Sequence, residues 1–518
     1  MPLLSIPLLS VFNDLLFGFS VALTPENITI AIIGLLLGTA IGVLPGLGGT
    51  NGVALLLPLT FKLQPASAII LLASVYWGAL FGGAITSILF NIPGEPWSVA
   101  TTFDGYPLAK QGKPGIALTA AFTSSFVGAF VSIILFTFFA PPLAELALRF
   151  GPPENFAVLL LAFSTFTGLG GGRPAKTILM TLLGLLLATI GFDIVSGAPR
   201  LTFGFVQLQS GVNFIVIAIG LFGLGEIFLT VEEGLRLEGI RARISFRDVW
   251  ETWKLFPRYA ATIIRATILG FWIGVLPGTG ATPASFMSYG LAKQFSKHPE
   301  RFGKGEVEGV IAPETAAHSA GIGALLPMVT LGIPGSPTAA VMLAGFFIWG
   351  LNPGPLLFTA NKDFVWGLIG SMYIANVIGV ILVLTLVPVF ASINRVPFGI
   401  LAPLIVILSS IGAYATNNQL LDLWLMLGSG VVGYIFKKLQ YPLAPLVVAL
   451  VLGDMTEQAL RQSLIIGDGS PAIFITRPIS LIFVIATAVL FALPAIRSYR
   501  QRRRPPRTPL MEAADVPE

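Results

Sequence analysis

The sequence predicts an all-α polytopic membrane protein of about twelve transmembrane helices plus two re-entrant hairpins, arranged as an inverted-topology internal repeat. Three observations predict it. Of 518 residues, 55% are hydrophobic and 11% charged, with a mean hydropathy of +0.86, where a soluble chain carries about 25% charged residues. Gly38–Thr50 (GTAIGVLPGLGGT) recurs as Gly270–Thr282 (GFWIGVLPGTGAT), and each copy is followed by a second related stretch, Asn91–Pro96 (NIPGEP) and Gly332–Pro337 (GIPGSP). Finally, with the N-terminus inside and both hairpins returning to the side they entered, only Lys62, Arg149, Arg200, Lys362, Arg461 and Arg477 of the 30 Lys and Arg fall outside. That asymmetry satisfies the positive-inside rule and sets the two hairpins on opposite sides of the bilayer.

Taken in order, residues 1–27 form an N-terminal helix around Leu4–Leu23. It lacks a basic n-region and reads as a retained helix, not a cleaved signal peptide. Residues 28–230 form the first repeat. Ile28–Leu44 runs into a Pro-Gly break, and Val53–Phe61 is too short to cross, so the pair reads as a hairpin with its tip at Pro45–Asn51. Ala66–Phe90 is a span broken at Asn91–Pro96 and resumed to Thr102, and further spans lie near Ile116–Ala140, Phe156–Thr167, Thr177–Gly191 and Val212–Thr230. Residues 231–259 form a charged cytoplasmic linker with an amphipathic surface helix. Residues 260–466 repeat the plan: a hairpin over Ala260–Leu276 and Pro283–Leu291, a broken span over Gly309–Gly350, and four more spans to Ile466. Residues 467–518 hold a last helix, Ile479–Ile496, and a basic tail. Both termini are cytoplasmic on this reading.

Proline removes a backbone donor and glycine admits a left-handed turn, so each motif interrupts its helix. In lipid such an interruption survives only against protein or a water-lined cavity, and paired interruptions in two halves point to a transporter site. Gly and Pro also serve close helix packing and kinks, but two motifs, each duplicated, favour a site. Half-helix N-termini suit a carboxylate. The residues gathered there are small and neutral, and those expected to bind substrate are Gly48, Gly49, Thr50, Asn51, Asn91, Gly94, Thr279, Gly280, Thr282, Gly335, Ser336 and Thr338. Half-helix carbonyls suit Na⁺. Candidates for a coupling cation, Na⁺ or H⁺, are Pro45, Gly46, Glu95, Pro277, Gly278, His318 and Ser319. Glu95 reads equally as a cation or proton site and as a cap for the next half-helix. Glu314, after Pro313, reads as a cap at a helix start, Asp104 as part of a turn, and Asp193 and Arg200 as a pair flanking an external loop.

Other chemistries lack their residues. There are no cysteines, hence no disulfide or thiolate. Gly170–Thr177 (GGGRPAKT) mimics a phosphate loop, but Ala175 replaces the glycine before Lys176. No HExxH or GxGD occurs, and no Ser-His pairing is legible, so the chain is not read as an enzyme. No cofactor beyond the coupling ion is expected, and the net charge of +5 reflects cytoplasmic loops, with no nucleic acid as partner.

The chain resembles the large membrane subunit of tripartite tricarboxylate transporters, the TctA family. The resemblance runs through Gly42–Gly52 (GVLPGLGGTNG), NIPGEP, Asp104–Gly115 (DGYPLAKQGKPG), Gly191–Gly204, GVLPGTGAT, GALLPMVTLGIPGSPTAAV and Leu351–Pro355 (LNPGP), and covers Thr29–Ile496. Where the family commonly has adjacent amides after Pro-Glu, this chain has His318-Ser319. The resemblance implies a permease in a bacterial inner membrane, partnered by a small membrane subunit (TctB-like) and a periplasmic solute-binding protein (TctC-like). It also implies uptake of a carboxylate such as citrate on a cation gradient. An anion channel or uncoupled facilitator is the alternative class.

Overall fold

The computed structural model describes residues 8–44, 47–169, 174–193, 197–233, 240, 243–393 and 398–502. Pro45 and Gly46, residues 170–173 of the phosphate-loop mimic, most of 234–242, Arg395 and the tail beyond 502 lie outside them. The chain is helical almost throughout. The first half contains α1 (Leu8–Ala22), α2 (Pro25–Val43), α3 (Gly48–Leu56), α4 (Pro65–Phe90), α5 (Val99–Lys110), α6 (Pro114–Ala147), α7 (Pro152–Leu169), α8 (Pro174–Ala188), α9 (Phe214–Ala218) and α10 (Gly225–Glu233). A π-helical turn, Ile219–Leu224, joins the last two.

The second half follows with α11 (Phe246–Leu255), α12 (Ala260–Val275), α13 (Ala281–Phe295), α14 (Glu308–Gly323), α15 (Leu325–Leu331), α16 (Pro337–Ile348), α17 (Pro355–Ala360) and α18 (Lys362–Ile393). The chain closes with α19 (Phe398–Asn417), α20 (Leu420–Lys438), α21 (Leu443–Ile466), α22 (Ile473–Thr476) and α23 (Pro478–Arg502). Among the described residues seven helices are long and apolar enough to cross a membrane. Shorter apolar helices accompany them, among them α8 and also α16, which follows the break at Gly332–Pro337. The one β element among the described residues, a two-residue ladder pairing Gly191 with Arg200, is tied to α21 by Arg200–Glu457 at 2.7 Å and Arg461–Asp193 at 2.9 Å. Arg200 and Asp193 also pair, at 3.4 Å.

Glycine decides how α2 and α4 meet. A Cβ at Gly38 would lie 2.1 Å from the Val75 carbonyl, and one at Gly42 2.3 Å from that of Ala79. Partner numbers rise together, so the two helices run parallel, and the chain between them returns through α3 and the 3₁₀ turn Leu57–Lys62. The second half repeats this contact for contact, Gly270 lying on Ala316 and Gly274 on Ala320, with α13 in the return. The second break of each half is seated alike: Gly94 faces the Gly42 carbonyl and Gly335 that of Gly274. Between halves the direction reverses. Along α4 and α5, Tyr76, Phe81, Thr101 and Asp104 meet Gly321, His318, Glu314 and Gly309 of α14, so these equivalent helices cross antiparallel.

α4 is buried along its whole apolar length, while α18, α19 and α23 expose Ile381, Val389, Leu404, Ile407 and Ile482. A helix apolar all round belongs in the centre, and the exposed rows suit lipid. The linker contains the expected amphipathic helix: α11 exposes Phe246, Trp250 and Trp253 and is capped by Ser245, whose hydroxyl accepts from the Asp248 N–H at 3.1 Å.

Two local expectations are overturned. Asp104 is not in a turn but inside α5. Its carboxylate accepts from the N–H groups of Gly303, Gly305 and Glu306 and from the Tyr289 hydroxyl at 2.8–3.0 Å, so it fastens the far hairpin's return loop. Glu314 does not cap a helix start: α14 begins at Glu308, and the carboxylate turns to Thr101 and Ser125.

Candidate functional site

Four helix ends created by the breaks come together around one cavity. In the first half α2 stops at Val43, and α3 restarts at Gly48 with φ +58°. A side chain is excluded there twice, by the left-handed backbone and by the Glu95 carboxyl group 2.5 Å from where a Cβ would sit. α4 ends at Asn91, whose φ of +57° is left-handed, and the chain passes through Pro93 and Gly94 to Glu95. With Ser98, the Glu95 carboxylate forms the capping box of its own following turn, Pro96–Ser98, and it also reaches back to the first break. It accepts from the Gly49 N–H at the start of α3, so one break supplies the anion that caps the other. Ser98 completes the loop, its hydroxyl donating to the Glu95 carbonyl at 2.8 Å.

The second half has the same backbone with different occupants. Gly278 and Gly280 take φ values of +73° and +64°, and their N–H groups donate to the Pro334 and Gly335 carbonyls at 3.3 and 3.0 Å. The Thr279 hydroxyl turns back to the carbonyls that end α12. Ser336, at the position of Glu95, accepts from the Ala339 N–H at 3.1 Å and so caps α16. No side chain caps α13. The first N–H groups of that 15-residue helix have no intrahelical acceptor, and Ala281 and Thr282 stand in a cavity wall. The halves then clasp each other: Thr50 Oγ1 is 2.9 Å from Thr338 Oγ1, and Ser285 of α13 donates to the Trp97 carbonyl at 2.6 Å.

The cavity so enclosed measures about 600 Å³. Of the residues named from sequence, Gly48, Thr50, Asn51, Glu95, Gly278, Thr279, Gly280, Thr282, Ser336 and Thr338 line it. Gly49 stands just behind, holding Glu95. Asn91, Gly94, Pro277 and Gly335 shape the breaks without lining the cavity. His318 and Ser319 lie elsewhere on α14, the histidine against Phe81 and the serine hydroxyl on the Thr315 carbonyl at 2.7 Å. Pro45 and Gly46 are outside the described residues.

Sequence reading missed much of the remaining wall. Tyr76, Trp97, Glu226, Lys437, Gln440 and Tyr441 are among the further residues that line the cavity. Lys437 and Glu226 form an ion pair, with side chains 17% and 16% exposed. The Trp97 indole N–H is buried without a hydrogen-bond partner. Lys176, the lysine of the phosphate-loop mimic, instead bonds the Leu439 carbonyl and covers the Tyr441 ring at 4.5 Å, which steadies this wall. Lys437 was legible only as a charge ending a span, the ordinary cytoplasmic anchor. Among the described residues no three His, Asp or Glu side chains converge as a metal site.

A cavity with an uncapped helix N-terminus, an ammonium group, hydroxyls and an indole N–H can bind a small oxyanion by donated hydrogen bonds. Comparison with known proteins gives this arrangement a context. The family described as "Tripartite tricarboxylate transporter TctA family" matches residues 28–448. An uncharacterized 52.8 kDa protein of the TAR-I ttuC' 3'region in Agrobacterium vitis is 41% identical over 499 residues, covering 96% of this chain and 99% of that protein. A second uncharacterized protein, in the TAR-II ttuC' 3'region of the same organism, is 39% identical over 236 residues, 45% of this chain and 98% of its own length. No solved structure matches the chain.

Proposed function

Because the chain belongs to the TctA family of tripartite tricarboxylate transporters, we propose that it is the permease for secondary active uptake of a small carboxylate, coupled to Na⁺ or H⁺. On this reading it sits in a bacterial inner membrane with both termini cytoplasmic. It works with a small membrane subunit and receives substrate from a periplasmic solute-binding protein. The observation that carries the reading is the convergence of all four helix breaks on one cavity whose second-half N-terminus, at Ala281 and Thr282, is open. Two inverted repeats account for the antiparallel crossing of α4 and α14 and for the repeated glycine contacts.

Substrate enters between the tips, and one carboxylate takes the N–H groups of α13. Thr50 and Thr338 supply hydroxyls from the facing helices. Lys437 offers a second positive contact once it exchanges Glu226 for substrate. Glu95 keeps the equivalent end of α3 occupied, so the substrate is directed to one end only.

The test is uptake by proteoliposomes holding the permease and the small subunit, supplied with the binding protein and a citrate, malate and succinate panel. Accumulation against a gradient, dependent on the binding protein and on an imposed Na⁺ or H⁺ gradient, is expected. Flux that equilibrates without either would replace transport coupling with a channel.

A further inference from the structure

Away from the cavity, three helices bring polar groups to one point in the apolar core. Glu314 of α14 is 2% exposed. Its carboxylate accepts from Thr101 Oγ1 of α5 at 2.6 Å and from Ser125 Oγ of α6 at 3.4 Å. One turn on, His318 is 1% exposed, with Nδ1 3.2 Å from the Glu314 carbonyl oxygen and 3.9 Å from its carboxylate. A carbonyl only accepts, so Nδ1 carries the hydrogen of the neutral ring. Nε2 is then an acceptor, and it is buried with no partner.

Among the described residues, the elements packed on α14 bring no positive charge to this point. α4 has only Tyr76 to titrate, and α6 only Glu145, near its far end. Asp104 of α5 is engaged by three backbone N–H groups and by Tyr289 of α13. The other ionisable groups of α5 and α13, Tyr106, Lys110 and Lys293, belong to their C-terminal turns. Arg265 of α12 bonds Thr262, which in turn bonds Glu308 in the first turn of α14. The short turn Pro96–Ser98 contributes nothing ionisable, and Glu95 before it is held by Gly49. α15 has no ionisable residue.

An ionised carboxylate without a cation and an imidazole with an unmet nitrogen are both unfavourable at this depth. One proton relieves the carboxylate. On Glu314 it removes the buried charge. On His318 it makes both ring nitrogens donors and sets an imidazolium beside the carboxylate. The pair therefore holds one proton as a unit. Nitrogen beside carboxylate, with a hydroxyl already in hydrogen-bond contact, is proton chemistry and not the all-oxygen shell that Na⁺ selects.

We infer that Glu314 and His318 form the proton-binding site that couples this permease to a proton gradient. The proton is taken from the side on which substrate enters and released to the cytoplasm, with no bond made or broken other than its own. The His318 ring packs against Phe81 of α4, 4.6 Å between centroids. One contact connects the pair's helix to the cavity. Gly321, three residues on, has its Cβ position 3.3 Å from the hydroxyl of Tyr76, which lines the cavity. Thr101 and Ser125 belong to the first half and Glu314 to the second, so protonation changes the hydrogen bonds that join the halves. What the proton drives rests on the transport reading above; that it binds here does not.

Two measurements separate the claims. In co-reconstituted vesicles with a lumenal pH dye and the carboxylate panel, an acid exterior should drive accumulation of about tenfold per pH unit, the ratio set by one proton per turnover. Glu314→Gln should retain substrate exchange and lose both the accumulation and the dye signal. His318→Gln should move the pH midpoint of uptake. In the purified chain, infrared difference spectra should contain a protonated-carboxyl band that titrates with pH and is missing in Glu314→Gln. If that band is unchanged by the substitution, or if Glu314→Gln still accumulates substrate on a pH gradient, the proton site is overturned. If no carboxylate moves in any preparation while the band behaves as stated, the proton site stands and the transport reading falls.

Discussion

The two halves contain the same break with different occupants. Gly48 and Gly280 are both left-handed, and Gly94 and Gly335 are both wedged against a glycine carbonyl one helix away. Where the first half has Glu95, whose carboxylate reaches across to the N-terminus of α3, the second has Ser336, whose hydroxyl caps its own α16. The N-terminus of α13 is left without an anion. One end of a near-symmetric pair is neutralised from within, and the other is kept for a ligand. Backbone geometry thus follows from Pro and Gly, whereas binding polarity follows from one residue difference.

The sharpest way to break the comparison is to erase that difference. Ser336→Glu should deliver a carboxylate to the start of α13 as Glu95 delivers one to α3, and uptake should fall to background while the protein remains in the membrane. Next come the tips. A residue with a Cβ at either left-handed glycine costs roughly 1–2 kcal/mol. Only at Gly48 does it also strike the Glu95 carboxylate; at Gly280 the nearest atom is Ser336 Cβ at 3.5 Å. Uptake assays should therefore find Gly48→Val inactive and Gly280→Val impaired to a lesser degree.

Lys437→Ala should raise KM about tenfold, since hydrogen bonds to charged groups contribute about 1.5–3 kcal/mol. Glu226→Gln, which frees the ammonium, should lower KM for the same substrate. The smallest effect belongs to the clasp. A double-mutant cycle of Thr50→Ala and Thr338→Ala, read by thermal unfolding, should give a coupling near 1 kcal/mol.

The breaks were legible because a chain must state them locally: Pro and Gly are required where φ or a missing donor demands them, and duplication repeats the demand. Glu95 was visible as a charge in a break, but its function was not, since Gly49 is 46 residues away in the chain. Lys437 and Glu226, 211 residues apart, carry no local pattern at all. Pro313 misled for a physical reason. Proline often opens a helix, yet here α14 has already run five residues before it, so Glu314, which has the sequence context of a cap, faces Thr101 and Ser125 instead. Asp104-Gly105-Tyr106-Pro107 has a turn's composition, but its aspartate is spent on a loop of the other half, which a local rule does not see.

The chain has no cysteine, so single thiols can report on the cavity directly. Thr50→Cys and Thr282→Cys lie on the two facing tips. Thiol labelling of each should be slowed by the same carboxylate with the same half-saturating concentration, because both tips enclose one bound anion. Protection of one tip alone, or of the two at different concentrations, would contradict a shared site.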